Sequence, residues 1–292
     1  MKFKSRYMLA GLLGLAIAGE ASALVVYGLT STNSLARFDS ATPGTINSMV
    51  AVTGLNTGAS LIGIDFRPVN GLLYGVSSDS RMYTINLTSG AASVIGSAGA
   101  FTVSGTSFGF DFNPVPDLIR VTSDAEQNLR LNPNTGLLAG ADTSLAFAAG
   151  DTNAGANPNI VGSAYTNSFS GTTTTTLYGI DSVRDILVTQ VPPNAGTLNT
   201  VGVLGFNTTD QVGFDIFFLG NLAFASLTAV GGGSSFFSIN LATGAATAIG
   251  AIGNGLLISD IAIQQVPEPA TLALLVAGLM GVIAVGKRRR LK

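Results

Sequence analysis

The chain has 292 residues, of which 47% are apolar and only 10% are charged, against about 25% charged in an ordinary soluble domain. Its fourteen Lys and Arg are balanced by sixteen Asp and Glu, which argues against a nucleic-acid binder that depends on a basic excess. The chain contains no Cys, no His and no Trp. These absences exclude disulfides, thiolate or imidazole catalysis and His/Cys metal sites, and we expect no cofactor.

The N-terminus has the organisation of a secretory signal peptide. Three basic residues lie within the first six, and an uncharged run over residues 7–18 follows them. Ala21 and Ala23 then provide the small residues that signal peptidase recognises. Twelve helical residues rise only about 18 Å, which is too short for a hydrocarbon core of about 30 Å. We therefore predict that residues 1–23 are a signal peptide cleaved after Ala23.

The C-terminus has a proline-rich motif, an apolar segment and a basic tail, in that order. The motif is Val266, Pro267, Glu268 and Pro269, and five of the last six residues of the chain are basic. Residues 270–286 are uncharged and predict a single transmembrane helix. Their rise of about 26 Å makes a marginal span, which favours a transient anchor. The basic cluster indicates that the tail stays cytoplasmic while the upstream chain crosses the inner membrane. A plain single-span anchor is the alternative.

This arrangement over residues 266–292 resembles the PEP-CTERM sorting signal of Gram-negative bacteria. The resemblance implies recognition by an exosortase, which cuts near the Pro-Glu-Pro motif and releases or attaches the protein outside. It also implies a link to exopolysaccharide and biofilm matrix. The expected location is the cell surface or extracellular matrix, after transient anchoring in the inner membrane through the C-terminal helix.

The exported body, residues 24–265, is acidic. It contains six Arg, no Lys and fourteen acidic residues, a net charge of −8. Such a body repels DNA and anionic lipid, whereas a neutral glycan or a divalent cation is not repelled.

The body is built from a repeat with a period of about 46 to 58 residues. Each copy contains four short β-rich runs separated by Gly, Asn and Ser turns, without a helical period. An Ile-Asn-Leu-x-x-Gly segment in the copies predicts a strand that enters a tight turn. The copies cover residues 61–96, 108–136, 161–196 in a looser form, and 212–250. Four strands at this period predict the blade of a β-propeller.

The ends of the body predict how the ring closes. Residues 25–29 and 35–39 match the second and third runs of the repeat, and the missing first run occurs at residues 257–263. One blade is then shared between the two ends of the body, which leaves no open sheet edge. We predict an all-β propeller of about five four-stranded blades. A β-solenoid is the alternative, but a solenoid requires no circular sharing of a repeat.

Four acidic residues occupy one position in the first run of the repeat. They are Asp65, Asp111, Asp215 and Asp260. Such a ring could hold a cation or act in acid–base chemistry. Because the acids follow the repeat, we favour a structural role in which each carboxylate accepts backbone N–H groups and locks neighbouring blades together. Carboxylates of this kind are expected to be ionised, with a low pKa.

The least regular segment, residues 140–167, contains a weak calcium candidate. Asp151, Asn153 and Asn157 place oxygen side chains close together in the chain. Only one of them is a carboxylate, so an ordinary Asn/Gly loop is the favoured interpretation.

The body also resembles a bacterial family known only as a domain of unknown function, through residues 177–181, residues 192–197 and the Ile-Asn-Leu-x-x-Gly units. This resemblance implies a propeller fold, and the family carries no assigned activity or site. We therefore expect a non-enzymatic exported surface or biofilm-matrix protein that binds a glycan or a protein partner. The alternatives are a cation-dependent, lactonase-like propeller hydrolase and a purely structural matrix protein.

Overall fold

The computed structural model describes residues 23–265. The predicted signal peptide lies outside this range except for Ala23, and so do the sorting motif Val266–Pro269 and the segment 270–286. Within residues 23–265, no helix combines the length and the apolar character that crossing a membrane requires.

The described chain forms a propeller of five sheets, which confirms the predicted fold class. In each blade the strands are given from the axis outward. Blade 1 contains β21 (Ile258–Ile263), β1 (Val25–Thr30), β2 (Ser34–Asp39) and β3 (Thr42–Ala51). Blade 2 contains β4 (Leu61–Phe66), β5 (Leu73–Ser77), β6 (Met82–Ile85) and β7 (Ala92–Ile95). Blade 3 contains β8 (Phe108–Asn113), β9 (Leu118–Ser123), β10 (Asn128–Leu131) and β11 (Leu138–Ala141).

Blade 4 has a fifth strand that the repeat did not predict. It contains β13 (Ile160–Tyr165), β14 (Leu177–Asp181), β15 (Ile186–Gln190), β16 (Thr197–Val203) and β12 (Ala146–Phe147). The two-residue β12 pairs in parallel with the outer strand β16. Blade 5 contains β17 (Val212–Phe217), β18 (Leu222–Thr228), β19 (Ser234–Ile239) and β20 (Ala246–Ala251). Short 3₁₀ helices occur at Pro193–Ala195 and Leu219–Asn221.

The ring closes through blade 1, as the split repeat predicts. Strand β21 pairs antiparallel with β1, with Val26 opposite Ile263 and Leu29 opposite Asp260. The innermost strands β21, β4, β8, β13 and β17 contact one another in this order, and β17 contacts β21 again. The sheet that begins the body is therefore completed by its last strand.

Close packing at the axis explains the glycines of the innermost strands. A Cβ added at Gly213 would lie 2.5 Å from the backbone N of Ile261, and one at Gly63 would lie 2.3 Å from the Cβ of Phe110. These distances are too short for any side chain, so the innermost strands can approach this closely at Gly63 and Gly213 because glycine is present.

The Ile-Asn-Leu-x-x-Gly segments form the predicted tight turns. In blade 2 the N–H of Gly90 donates to the carbonyl of Asn86 at 2.8 Å, and the Asn86 side chain accepts from the N–H of Thr88 at 2.9 Å. Gly90 has a φ of +73°, which favours glycine.

The hydrophobic core lies between adjacent blades. Tyr74 and Val76 of blade 2, for example, pack with Phe110, Phe112 and other buried residues of blade 3. Each of the larger core clusters joins two sheets in this way, so burial of apolar surface holds the blades to one another.

The propeller has two different loop faces, because adjacent strands within each blade are antiparallel. We call the end where the innermost strands finish the exit face. It carries residues 67–72, 114–117, 166–176 and 218–221 and both ends of the body, residues 24 and 265. We call the opposite end the mouth face. It carries residues 31–33, 78–81, 124–127, 182–185 and 229–233.

Candidate functional site

The repeated acidic residues lie on the innermost strands, and each bridges two blades. One carboxylate oxygen, Oδ1, accepts the N–H of the next residue in its own strand. The other oxygen, Oδ2, accepts a backbone N–H from the innermost strand of the next blade. These inter-blade pairs are Asp260 with Ile64 (2.8 Å), Asp65 with Phe112 (2.9 Å), Asp111 with Tyr165, and Asp215 with Ile263 (2.5 Å).

The junction between blades 4 and 5 breaks this pattern. In blade 2, Asp65 lies opposite Tyr74 of the second strand, and the matching position opposite Tyr178 in blade 4 is Ala164. Strands β13 and β17 still contact each other. The ring therefore has five junctions and four bridging carboxylates.

Three of these carboxylates come together at the axis. One oxygen from each of Asp65, Asp111 and Asp215 lies within 4.8 Å of the others. All three residues are at most 3% exposed. Burial raises the pKa of Asp65, although hydrogen bonds from the Asp111 side chain and from backbone N–H groups partly oppose this.

The neighbouring acids are affected more strongly. Burial, followed by the charge of Asp65, raises the pKa of Asp111 and of Asp215 well above the ordinary value. Burial also raises the pKa of Asp260 well above that value, although the N–H groups of Ile64 and Ile261 oppose the shift.

The expectation of low pKa values for these acids is wrong. Backbone donors favour the ionised carboxylate, as that expectation assumed. Removal from water disfavours it, and the proximity of the other acids adds repulsion. The cluster therefore tends to retain protons, with Asp65 and Asp111 sharing a hydrogen bond.

The chemistry open to this cluster is limited by its burial. Three carboxylates at this spacing can share protons or ligate a divalent cation through oxygen. They lie inside the ring of innermost strands, where their backbone hydrogen bonds join the blades.

The weak calcium candidate does not form one oxygen cluster. Asp151 accepts hydrogen bonds from the N–H of Asn153 at 2.8 Å and from the N–H and hydroxyl of Thr200 at 2.6 and 2.8 Å. Asn157 instead donates to Glu126 at 2.7 Å. Burial raises the pKa of Asp151, but the hydrogen bonds from Thr200 and Asn153 outweigh this and leave the pKa below its usual value. Asp151 thus ties the loop to strand β16.

A buried arginine forms a network that the sequence interpretation missed. Arg120, in β9, is 1% exposed. Its guanidinium donates to Asp142 Oδ2 at 2.6 Å, to Asn128 at 2.7 Å, to Asn194 of blade 4 at 2.7 Å and to the Tyr165 hydroxyl at 3.2 Å. Arg120 lies opposite Asp111, at the position that Tyr74, Tyr178 and Phe224 occupy in the other repeat copies. In the sequence, this departure from the repeat was the signal that could have identified Arg120 as a residue with a special role.

A polar pocket opens at the mouth-face end of the axis. We call it the axial mouth pocket, and its volume is about 400 Å³. Four blades line it, because the first residues of the innermost strands converge there. The polar part of the wall consists of Thr106, Ser107, Thr209, Asp210, Gln211 and Ser259. Apart from one carboxylate, this wall offers hydroxyl and amide groups.

Comparison with known proteins identifies two regions of the chain. The family described as "Domain of unknown function (DUF4394)" matches residues 34–262. The "PEP-CTERM protein-sorting motif" matches residues 265–290. No curated protein matches the chain.

Two solved structures are similar to the chain at low identity. A dihydro-heme d1 dehydrogenase, NirN, in complex with DHE is 12% identical, with a TM-score of 0.38 over 77% of this chain and 43% of that chain. A putative 6-phosphogluconolactonase from Bacteroides uniformis is 14% identical, with a TM-score of 0.38 over 84% of this chain and 72% of that chain. This chain therefore spans less than half of the dehydrogenase.

The family match covers more than half of the chain and nearly the whole propeller. The sorting motif follows directly, and it implies an exported protein that an exosortase processes. The chain thus belongs to the DUF4394 family, as a five-bladed propeller with a C-terminal PEP-CTERM motif.

Proposed function

We propose that this protein is a non-enzymatic surface or biofilm-matrix protein whose axial mouth pocket binds a neutral glycan. The observation that carries the proposal is the pocket wall, which is rich in hydroxyl and amide groups contributed by separate blades. Such groups pair with sugar hydroxyls, and a concave site with a few convergent polar groups is typical of ligand sites.

The charge of the body supports a neutral ligand. The body carries a net charge of −8, and Asp210 lines the pocket itself. An anionic polysaccharide would be repelled by both. Phe108 and two aliphatic residues complete the wall and offer apolar surface to the C–H faces of a sugar ring.

The buried state of the axial acids disfavours the hydrolase alternative. A lactonase-like site needs carboxylates that a substrate can reach. Among residues 23–265, the cluster of three or more carboxylates close enough to share a cation consists of Asp65, Asp111 and Asp215, and all three are buried. A purely structural matrix protein remains the competing proposal, and glycan binding separates the two.

The sorting part of the proposal concerns where the protein acts. Residues 1–23 direct export, residues 270–286 anchor the chain transiently in the inner membrane, and the exosortase cuts near Pro267–Pro269. Intact-mass analysis of protein collected outside the native cell is expected to show loss of the segment beyond this motif. Recovery of full-length tail there would contradict this part of the proposal.

Glycan binding is tested with the processed protein on an array of neutral and anionic oligosaccharides. We expect retention of neutral glycans and loss of binding in Gln211→Ala and Ser107→Ala, since both residues line the pocket. Thr88→Ala is the matched control, because Thr88 is exposed in the turn between β6 and β7 and does not line the pocket. No retained glycan, or equal binding by all three variants, would refute a glycan site at the mouth and favour the purely structural protein.

A further inference from the structure

The exit face exposes a set of apolar side chains. Four of its loops carry at least one apolar residue that is between 43% and 55% exposed. The residues are Val69, Leu72, Val115, Phe169 and Leu219, together with Leu222 at the start of β18. We call this set the exit-face ring, because the four loops surround the axis and the fifth position is held by the chain ends.

An apolar notch deepens the ring beside the point where the chain leaves the body. The notch has a volume of about 190 Å³ and is lined by Pro68, Phe169, Phe218 and Gln265, together with two serines. The Phe169 and Phe218 rings lie 6.2 Å apart, centroid to centroid. Gln265 is the last described residue, so the chain continues from the edge of this notch toward the sorting motif.

Charge is distributed unequally between the two faces. On the exit face Asp117 is paired with Arg67, whose Nε donates to Asp117 at 2.9 Å, and Asp39 accepts the N–H of Ala41 in a turn. The loops of the mouth face and the pocket wall carry an excess of acids over arginines. These acids are Asp79, Asp124, Glu126, Asp185 and Asp210. The exit face is therefore the less acidic side, and an anionic membrane repels it least.

Chain length fixes how far the body can lie from a membrane. Four residues, Val266–Pro269, separate Gln265 from the apolar segment 270–286. Four extended residues span at most about 14 Å. While segment 270–286 is inserted, the exit face must therefore lie close to the lipid headgroups.

We propose that the exit-face ring docks on the lipid surface of the inner membrane while the protein is anchored, and that it holds the axial mouth pocket pointing away from the membrane. This inference rests on the proposed transient anchor. The apolar side chains of the exit-face ring enter the boundary between headgroups and acyl chains, as shallowly inserted apolar groups do in interfacial proteins.

The absence of tryptophan from the chain makes a site-specific test possible. Four variants each carry a single Trp. Two have it on the exit face, Phe169→Trp and Val115→Trp, and two on the mouth face, Val183→Trp and Val230→Trp. All four parent residues are exposed apolar side chains in loops, at 43% and 46% on the exit face and at 68% and 89% on the mouth face. The full chain, purified from membranes of a host without exosortase, is reconstituted into phosphatidylcholine vesicles with a nitroxide on the headgroup.

We expect several-fold stronger quenching of Trp emission at both exit-face positions than at both mouth-face positions, with all variants floating with the vesicles. Equal quenching on the two faces, or stronger quenching on the mouth face, in floating protein would overturn the docking proposal alone. Failure of the full chain to float would overturn the anchor and the docking proposal together, and would leave glycan binding unaffected. Two positions on each face ensure that a single misfolded variant does not decide the result.

Discussion

Asp111 shows how one side chain joins two blades and a proton-sharing cluster. Its carboxylate accepts the N–H of Phe112 at 2.7 Å and that of Tyr165 in the next blade. Burial raises its pKa well above the ordinary value, and the charge of Asp65 adds to this shift. The same residue therefore stabilises the ring through hydrogen bonds and makes it sensitive to protonation.

Asp111→Asn is expected to lower the melting temperature. The amide keeps one acceptor oxygen, so one of the two buried N–H groups loses its partner, at a cost of about 1 to 3 kcal/mol. For a body of this size each kcal/mol corresponds to about 2 to 4 °C. Calorimetry checks this, with Asp39→Asn as the control, because Asp39 makes a single exposed hydrogen bond. Equal melting temperatures for the two variants would contradict the bridging role.

Arg120→Met is expected to destabilise the junction between blades 3 and 4. Removing one partner from a buried ionic network costs about 3 kcal/mol, because other buried groups lose their hydrogen bonds. Arg130→Met is the control, since Arg130 also pairs with Asp142 but its side chain is 28% exposed. Chemical denaturation should show the larger loss for Arg120→Met. A smaller loss than in the control would disprove the assigned role.

The roles of individual residues were only partly predictable from the sequence. The repeat placed Asp65, Asp111, Asp215 and Asp260 at one strand position, since recurrence along the chain is visible. It did not give their burial or the short distances between them, both of which depend on ring closure. Burial is the main reason why the pKa values are raised and not lowered. Arg120 entered the sequence interpretation only as a charge, because its partners come from separate segments.

At the scale of elements, strand β21 determines whether the sheet of blade 1 is complete. It is the innermost strand of that blade, and it contacts β4 and β17 on either side. Ile258, Ile261 and Ile263 of this strand are buried in one core cluster with Val26 and Phe38. Its loss would expose this apolar surface and the edges of its neighbours.

Truncation after Gly253 is expected to give insoluble or unfolded protein. The missing strand opens the ring and uncovers its core, at an expected cost greater than a typical total stability of about 5 to 15 kcal/mol. Truncation after Gln265 is the matched control, because it keeps β21 and removes only the sorting segment. Cooperative melting of the shorter form at the temperature of the control would show that closure through blade 1 is dispensable.

Most elements could be predicted because their signals are local. Alternating apolar residues, Asn/Gly turns and the split repeat predicted five blades and their closure. Strand β12 was missed because two residues carry no periodic pattern, and its pairing with β16 depends on the path of the chain from blade 3 to blade 4.

At the scale of the whole molecule, two groups of carboxylates set opposite dependences of stability on pH. The axial acids have raised pKa values because of burial. The folded state therefore binds their protons more tightly than the unfolded state, and stability is lost as pH rises above the ordinary value of 3.8. For Asp142 and Asp151, burial is outweighed by hydrogen bonds and the pKa is lowered, so their contribution is lost as pH falls below that value.

The free energy of unfolding is therefore expected to rise as pH falls from neutral toward the ordinary carboxyl value of 3.8, and to decrease again below that value. Urea denaturation across this range measures it. Asp111→Asn should flatten the rise, whereas Asp39→Asn should leave it unchanged. A steady loss of stability from neutral pH downward in the parent protein would contradict the assignment of raised pKa values to the axial acids.

The pairing of β21 with β1 also determines when the protein can fold during export. The strand that completes blade 1 ends at Ile263, seven residues before the apolar segment begins at Ala270. Along the export route proposed above, blade 1 cannot close until almost the entire body has crossed the membrane. Before that moment blade 1 lacks its innermost strand and the chain is vulnerable to proteolysis and aggregation. Because the two segments are neighbours in the chain, the sorting signal arrives at nearly the same time as the strand that completes the ring. A chain that reaches the processing enzyme has therefore just become able to fold.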